Sequence, residues 1–315
     1  MKKLFLVSGA VLLAAILIWK ARSPAAPELM CQGKPVSAWA LALNSAGTQR
    51  QAEEVILSLG SNAVPSLVRL LRTPDPILAR TVKAIGRRTP DKLSRVLYQM
   101  VNPFAAPAQR ARAAQALRIL GPAAISALPA LTNALSDDQT VSWYAALTLA
   151  QLGEPGITAL SGALPKSAPA QAGYICYALG TQGPSASNAI PVLATVMETG
   201  PAQVAERAAS ALADIGRLAV PRLLQTLEHP DPAVRILAIN ALARLGPPAR
   251  AALPRLIDVA KEDQAIVRVM AIDALPKIRP TGAGLVGVLT NALQDPDPQV
   301  RVKATQALEK LQLAR

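Results

Sequence analysis

A helix-stopping glycine recurs along this chain at Gly60, Gly86, Gly121, Gly153, Gly183, Gly216 and Gly246, with Arg279-Pro280 in the eighth place, at intervals of 26 to 35 residues. Glycine takes the positive-φ position past a helix end without steric cost, so each closes a run of helix. The stretch from Asp231 to Leu256, DPAVRILAINALARLGPPARAALPRL, shows what is closed: Ala238, Ala241, Leu242 and Leu245 stand at i, i+3, i+4 and i+7 and share one face. A proline then opens a second helix, five residues after the glycine at Pro65 and Pro221, eight after it at Pro129, Pro191 and Pro254, and the longer form always contains Gly-Pro. Neither helix of such a pair can bury its apolar stripe alone, so the pairs must be stacked on one another.

Aligned on the glycines, the first helices carry vertical columns. One holds Ala52, Ala113, Ala145, Ala208, Ala238, Ala271 and Ala304, with only Ile175 large, and small residues there let helices approach closely. Another holds Ile56, Leu117, Leu149, Leu179, Leu212, Leu242, Leu275 and Leu308, the continuous core. A composition 51% hydrophobic but only 3% aromatic, without β-branched alternation, agrees with helices rather than sheets. The expected fold is all-α: an α-solenoid of stacked antiparallel helix pairs over residues 36–315, preceded by an N-terminal hydrophobic helix. It should hold about nine repeats, with Trp39, Leu41 and Leu43 in a cap helix over the open end. The second repeat departs most, with room for about three turns of helix between Asp75 and Gly86, which is expected to bend the stack.

The segments DPAVRILAINALARLG, EDQAIVRVMAIDALPKI and DPDPQVRVKATQALEKL resemble HEAT repeats of the short bacterial type also found in phycobilin lyases, a resemblance covering roughly residues 45–315. It implies a HEAT-like superhelix and, as function, a non-catalytic scaffold or adaptor for a protein partner. Two alternatives follow from the resemblance: a nucleic-acid binder, or a lyase or chaperone acting on a chromophore-bearing protein.

The N-terminus is a separate object. Lys2 and Lys3 precede an uncharged run, Leu4 to Trp19, closed by Lys20 and Arg22. Sixteen helical residues span roughly 24 Å against about 30 Å of hydrocarbon, so residues 1–22 read as a signal anchor or a signal peptide. The poor cleavage site at Ser23-Pro24-Ala25 favours an uncleaved anchor, with the repeats outside the cytoplasm; cleavage would make the protein secreted. Residues 23–35, with Pro24, Pro27 and Pro35, read as a linker.

The net charge of +13 is spread out. The second-helix column expected on the concave surface, Arg69, Asn133, Gly162, Thr195, Gln225, Asp258 and Asn291, is mixed in sign, which disfavours nucleic acid. Arg110, Arg235, Arg268 and Arg301 share a column that reads as structural: Asp231 and Asp297 stand four residues before Arg235 and Arg301, placed to pair with them and to cap the helix. Tyr144 and Tyr174, in a column otherwise polar, and Tyr177, one turn on, lie in a stretch poor in charge and form the candidate partner-binding patch. Trp143 is assigned to the core, filling the space left by Gly173 in the next repeat. The single His229, in a Glu-His-Pro-Asp turn, excludes a histidine triad or a multi-histidine zinc site. Cys31 and Cys176, about four repeats apart, are too distant to pair. Asp137-Asp138 reads as a helix cap. No catalytic residue, metal or cofactor is expected.

Overall fold

The computed structural model describes residues 28–86, 91–278 and 283–313, and the apolar run Leu4–Trp19 lies outside them. The described chain is an α-solenoid. It begins with a hairpin of two two-residue strands, β1 (Met30–Cys31) and β2 (Lys34–Pro35), followed by α1 (Val36–Ala42). The hairpin turns at Gln32 and Gly33, both at positive φ. Residues 28–35 are therefore built into the structure rather than being plain linker. The Glu28 carboxylate accepts from the Ser37 amide and hydroxyl at the start of α1, at 2.6 and 3.0 Å. Trp39 is buried, its indole donating to the Cys31 carbonyl at 3.0 Å with the Lys34 ammonium over its ring. Leu43 is buried as well, but Leu41 points to solvent, so the cap is carried by Val36, Trp39, Ala40 and Leu43.

The repeats follow as pairs: α2 (Gln49–Leu59) with α3 (Val64–Leu71), α4 (Ile77–Gly86) with α5 (Asp91–Val101), α6 (Ala105–Leu120) with α7 (Leu128–Ala134), and α8 (Gln139–Gln151) with α9 (Glu154–Ala163). Then come α10 (Pro169–Gly180) with α11 (Ile190–Thr199), α12 (Ala202–Ile215) with α13 (Val220–Thr226), α14 (Pro232–Leu245) with α15 (Leu253–Glu262), α16 (Ala265–Ile278) with α17 (Ala283–Ala292), and the last first helix, α18 (Pro298–Leu313). From α6 onward each first helix packs on the next one, α6 on α8, α8 on α10, and so to α18. The alanine column lies at every one of these contacts and is fully buried, as is Ile175. The leucine column is equally dry until Leu308, half-buried on the final helix, which has no described neighbour beyond it. The glycines that close the first helices, Gly60, Gly121, Gly153, Gly183, Gly216 and Gly246, have φ between 53 and 94°. Two stretches, Gln49–Leu71 and Ala105–Ala134, are long and apolar enough to cross a membrane, but each turns at such a glycine and buries its apolar face in the stack.

The second repeat does not bend the stack so much as leave it. The first helix α6 packs on α1, α2 and α3, bypassing α4 and α5, which pack chiefly on each other. Gly86 is accordingly not a positive-φ stop; it is buried, and the Tyr98 ring of α5 lies where a side chain would point. Any larger residue there would have to displace the Tyr98 ring.

Candidate functional site

The arginine column is a ladder between repeats, and its wiring differs from the i, i+4 pairs that the spacing suggests. Arg235 forks onto Asp263, 28 residues on, and Arg268 onto Asp295, 27 residues on, each carboxylate standing just before the next repeat's first helix. The remaining guanidinium nitrogen of each reaches back: Arg235 to the carbonyls of His229 and Pro230 at 2.7 and 2.9 Å, Arg268 to that of Asp263 at 2.7 Å, and Arg301 to those of Asp295 and Pro296 at 2.8 and 3.0 Å. Asp231 and Asp297 do only the capping, accepting from Ala233 N and Gln299 N at 2.8 Å. Arg301 stays exposed because no further repeat supplies it a carboxylate among the described residues. The Arg268 fork holds the Asp295 carboxyl below the usual carboxylate range, and Arg268 is raised in turn.

Arg110 joins the same ladder across the bypass. Its Nε and Nη2 fork onto Asp137 at 2.7 and 2.8 Å, while Nη1 donates to Asp75 Oδ1 at 2.6 Å and to the Thr73 carbonyl at 3.0 Å, 37 residues upstream. Burial alone would lower its pKa, but the Asp137 and Asp75 carboxylates outweigh it and hold the group above its ordinary value. Asp138 caps α8 through Thr140 N at 3.1 Å. His229 is a turn residue whose Nδ1 accepts from Asp231 N at 3.2 Å.

The aromatic residues sort differently from the expected patch. Tyr174 and Tyr177 come together, but their third ring is Trp143, not Tyr144. Trp143 of α8 meets Tyr174 edge-on at 5.4 Å and stacks on Tyr177 at 5.1 Å, both from α10. Tyr144, one residue on and therefore turned by about 100°, is half-buried against the core, with its carbonyl taking Thr148 Oγ1 at 2.7 Å. Trp143 is half-buried rather than core, because Gly173 leaves a space that the ring borders without filling. A side chain grown from Gly173 would meet only Arg207 Cγ, at 3.9 Å.

Trp143, Gly173, Tyr174 and Tyr177 line a cleft of about 600 Å³ across α8, α10 and α12, completed by Pro169, Ala170, Gln203 and Arg207. Two of the helices that carry it are closely packed, since α10 closes on α12 so tightly that a Cβ on Gly180 would stand 3.2 Å from the Ala211 Cα. Tyr177 is 47% exposed, and Arg207, also exposed, makes no ion pair among the described residues. Neither tyrosine hydroxyl has a hydrogen-bond partner among them. The cleft thus offers three aromatic faces, two hydroxyls and one cation, the mixture that favours interface hot spots. Cys176, beneath it on α10, is fully buried, and burial pushes its thiol up to about 12, so it offers no thiolate nucleophile at neutral pH. No group of three or more His, Cys, Asp or Glu side chains able to hold a metal occurs among the described residues, and Cys31 and Cys176 are both free.

Residues 190–276 and 253–315 match the HEAT repeat family, two overlapping stretches that cover about two-fifths of the chain. No curated protein matches. Among solved structures, human deoxyhypusine hydroxylase in complex with glycerol is 20% identical, with 75% of this chain and 98% of that one covered at a TM-score of 0.35. The complex of CpcE and CpcF of phycocyanin lyase from Nostoc sp. PCC7120 is 21% identical, with 91% of this chain and 100% of that one covered at a TM-score of 0.34.

Proposed function

We propose that this HEAT-repeat protein is a non-catalytic scaffold that captures a protein partner in the cleft of Trp143, Tyr174 and Tyr177, and that Leu4–Trp19 holds it at a membrane with the repeats outside the cytoplasm. The observation that supports capture is the cleft itself: stacked aromatics around a space that Gly173 keeps open, beside an unpaired Arg207, on three helices fixed by the core. Such a site suits an apolar or aromatic side chain with a carboxylate next to it. It lacks the histidine, metal cluster or ionised thiol that acid–base, metal or nucleophilic chemistry would use. The mixed charge of the second helices disfavours nucleic acid as the partner.

Crosslinking in membranes of the source cell, followed by capture, tests the reading. The wild-type protein is expected to yield a defined partner, and Tyr177→Ala to weaken that complex by about thirtyfold, some 2 kcal/mol. Arg207→Glu is expected to abolish it. The same partner recovered in equal yield with both variants would refute the cleft as the binding site. Protease added to cells stripped of their outer envelope tests the placement: repeats digested only after the cytoplasmic membrane is breached would overturn it, and a mature chain that starts after residue 22 would replace the anchor by a secreted protein.

A further inference from the structure

The α4–α5 pair that leaves the stack carries the largest run of exposed apolar side chains on the described molecule. On α4, Ile77, Leu78 and Ile85 face outward, with Ile77 83% exposed, while Ala79, Val82 and Gly86 turn inward. On α5, Leu93, Val96 and Met100 stand at i, i+3 and i+7 and form one outward stripe, with Met100 78% exposed. A pair that merely completed the solenoid would direct these residues to a neighbour, yet α6 takes the place of that neighbour on α3. The same two helices hold Arg80, Lys83, Lys92 and Arg95 against a single acid, Asp91. Arg80 and Arg95 are exposed; Lys83 is partly held by Asp138 at 3.7 Å and by the Phe104 ring.

We infer that α4 and α5 dock on a membrane surface rich in anionic headgroups, with the apolar stripes at the acyl boundary and the exposed Arg80 and Arg95 among the phosphates. Apolar stripes flanked by lysine and arginine are the pattern of interfacial helices. Charge selects this occupant over a second copy of the chain, because two such faces would bring basic side chains against basic side chains. The position agrees. The pair branches from α3 at the end of the stack where the described chain begins, and only residues 20–27 separate Trp19 from Glu28, a reach of at most roughly 28 Å. The inference draws in part on the anchor reading of Leu4–Trp19, and the two can fail separately.

The test uses the full chain in vesicles of phosphatidylcholine with a photoactivatable phospholipid, with and without phosphatidylglycerol. Lipid adducts are expected in 77–101 as well as in 4–19, those in 77–101 stronger by roughly twentyfold when phosphatidylglycerol is present. In Leu93→Glu/Met100→Glu they should vanish from 77–101 and persist in 4–19. Arg80→Gln/Arg95→Gln, which leaves the apolar stripes intact, should erase most of the dependence on phosphatidylglycerol, each charge being worth about fivefold. Adducts in 77–101 but not in 4–19 would support the docking and refute the anchor. Adducts confined to 4–19, labelling of 77–101 unchanged by the paired Glu substitutions, or crosslinks between the 77–101 segments of two copies would each overturn the inference.

Discussion

Arg110 ties the two sides of the bypass together through side-chain bonds, and replacing it by Met tests whether the first repeat is held to the rest through it. The guanidinium side chain is 8% exposed and makes four hydrogen bonds, two to Asp137, one to Asp75 and one to the Thr73 carbonyl. Breaking a buried pair by deleting one partner costs about 3–5 kcal/mol. Here the two carboxylates left behind are 27% and 24% exposed and regain some water, which places the loss near the lower end, about 3 kcal/mol. In a solenoid stability is a sum of neighbour interfaces, so the loss stays local. Amide exchange in 36–71 is expected to rise by roughly a hundredfold, and exchange in 202–278 to stay within about twofold of the wild type. Hydrogen exchange read by mass spectrometry measures both in one sample. An equal rise along the whole chain would show one cooperative unit, and a rise below about threefold in 36–71 would show that apolar packing of α6 on α1 to α3 holds the join without the ladder. Combining Arg110→Met with Asp137→Asn should cost less than the sum of the two single changes.

Three other outcomes follow from the geometry. Gly173→Leu meets nothing closer than the flexible Arg207 side chain, so the fold should keep its melting temperature while the cleft fills and partner capture falls at least tenfold; retained capture would place the partner elsewhere. Asp295 has a depressed pKa from the Arg268 fork, and Asp273 is also depressed because Lys277 and Lys303 outweigh its burial. A lowered carboxyl pKa stabilises the fold above the unfolded value of about 3.9 and loses that effect as pH falls through the folded value, so the α16–α18 join should open to limited pepsin digestion below about pH 4. Asp295→Asn should weaken that dependence, and identical pH profiles for the two proteins would refute it. Cys176 should resist iodoacetamide at pH 8 in the folded protein and react on unfolding; fast native labelling would contradict its burial.

The register of the solenoid was legible because it rests on local physics, a glycine after each first helix and a proline opening the second. Gly86 broke the pattern for a reason that spacing alone hides: the residue was needed small, under the Tyr98 ring, rather than left-handed. A cue was nonetheless present. Thr73-Pro74-Asp75-Pro76 matches His229-Pro230-Asp231-Pro232, but the next arginine, Arg80, comes five residues after its aspartate where Arg235 comes four after. One residue turns a helical side chain by about 100°, so Arg80 misses the ladder and faces solvent, and Arg110 fills the slot from 37 residues away. The i, i+4 pairing of Arg235 with Asp231 is displaced because a guanidinium at the edge of one repeat also reaches the loop of the next, which lies 28 residues on in sequence and beside it in space, while Arg301 reaches only back, to the Asp295 and Pro296 carbonyls.

The cleft differs from the expected patch at two adjacent positions, with Trp143 in it and Tyr144 outside it, and the reason shows how repeat proteins acquire sites. In the sequence, Trp143 opposite Gly173 looks like a large residue filling the room left by a small one. In a globular core that would hold, because voids are filled. On the outer face of stacked helices, however, a neighbour one repeat away is about 10 Å distant, and a glycine there opens a recess toward solvent rather than a cavity toward the interior. The indole then gains more by lying across Tyr174 and Tyr177, which are themselves held by the helix that carries Ile175 and Leu179 into the core. The buried columns hold the helices in register, and the outward columns are left free to vary. On this chain that freedom is used twice, for an aromatic recess at α8 to α12 and for a helix pair whose apolar residues face away from the stack.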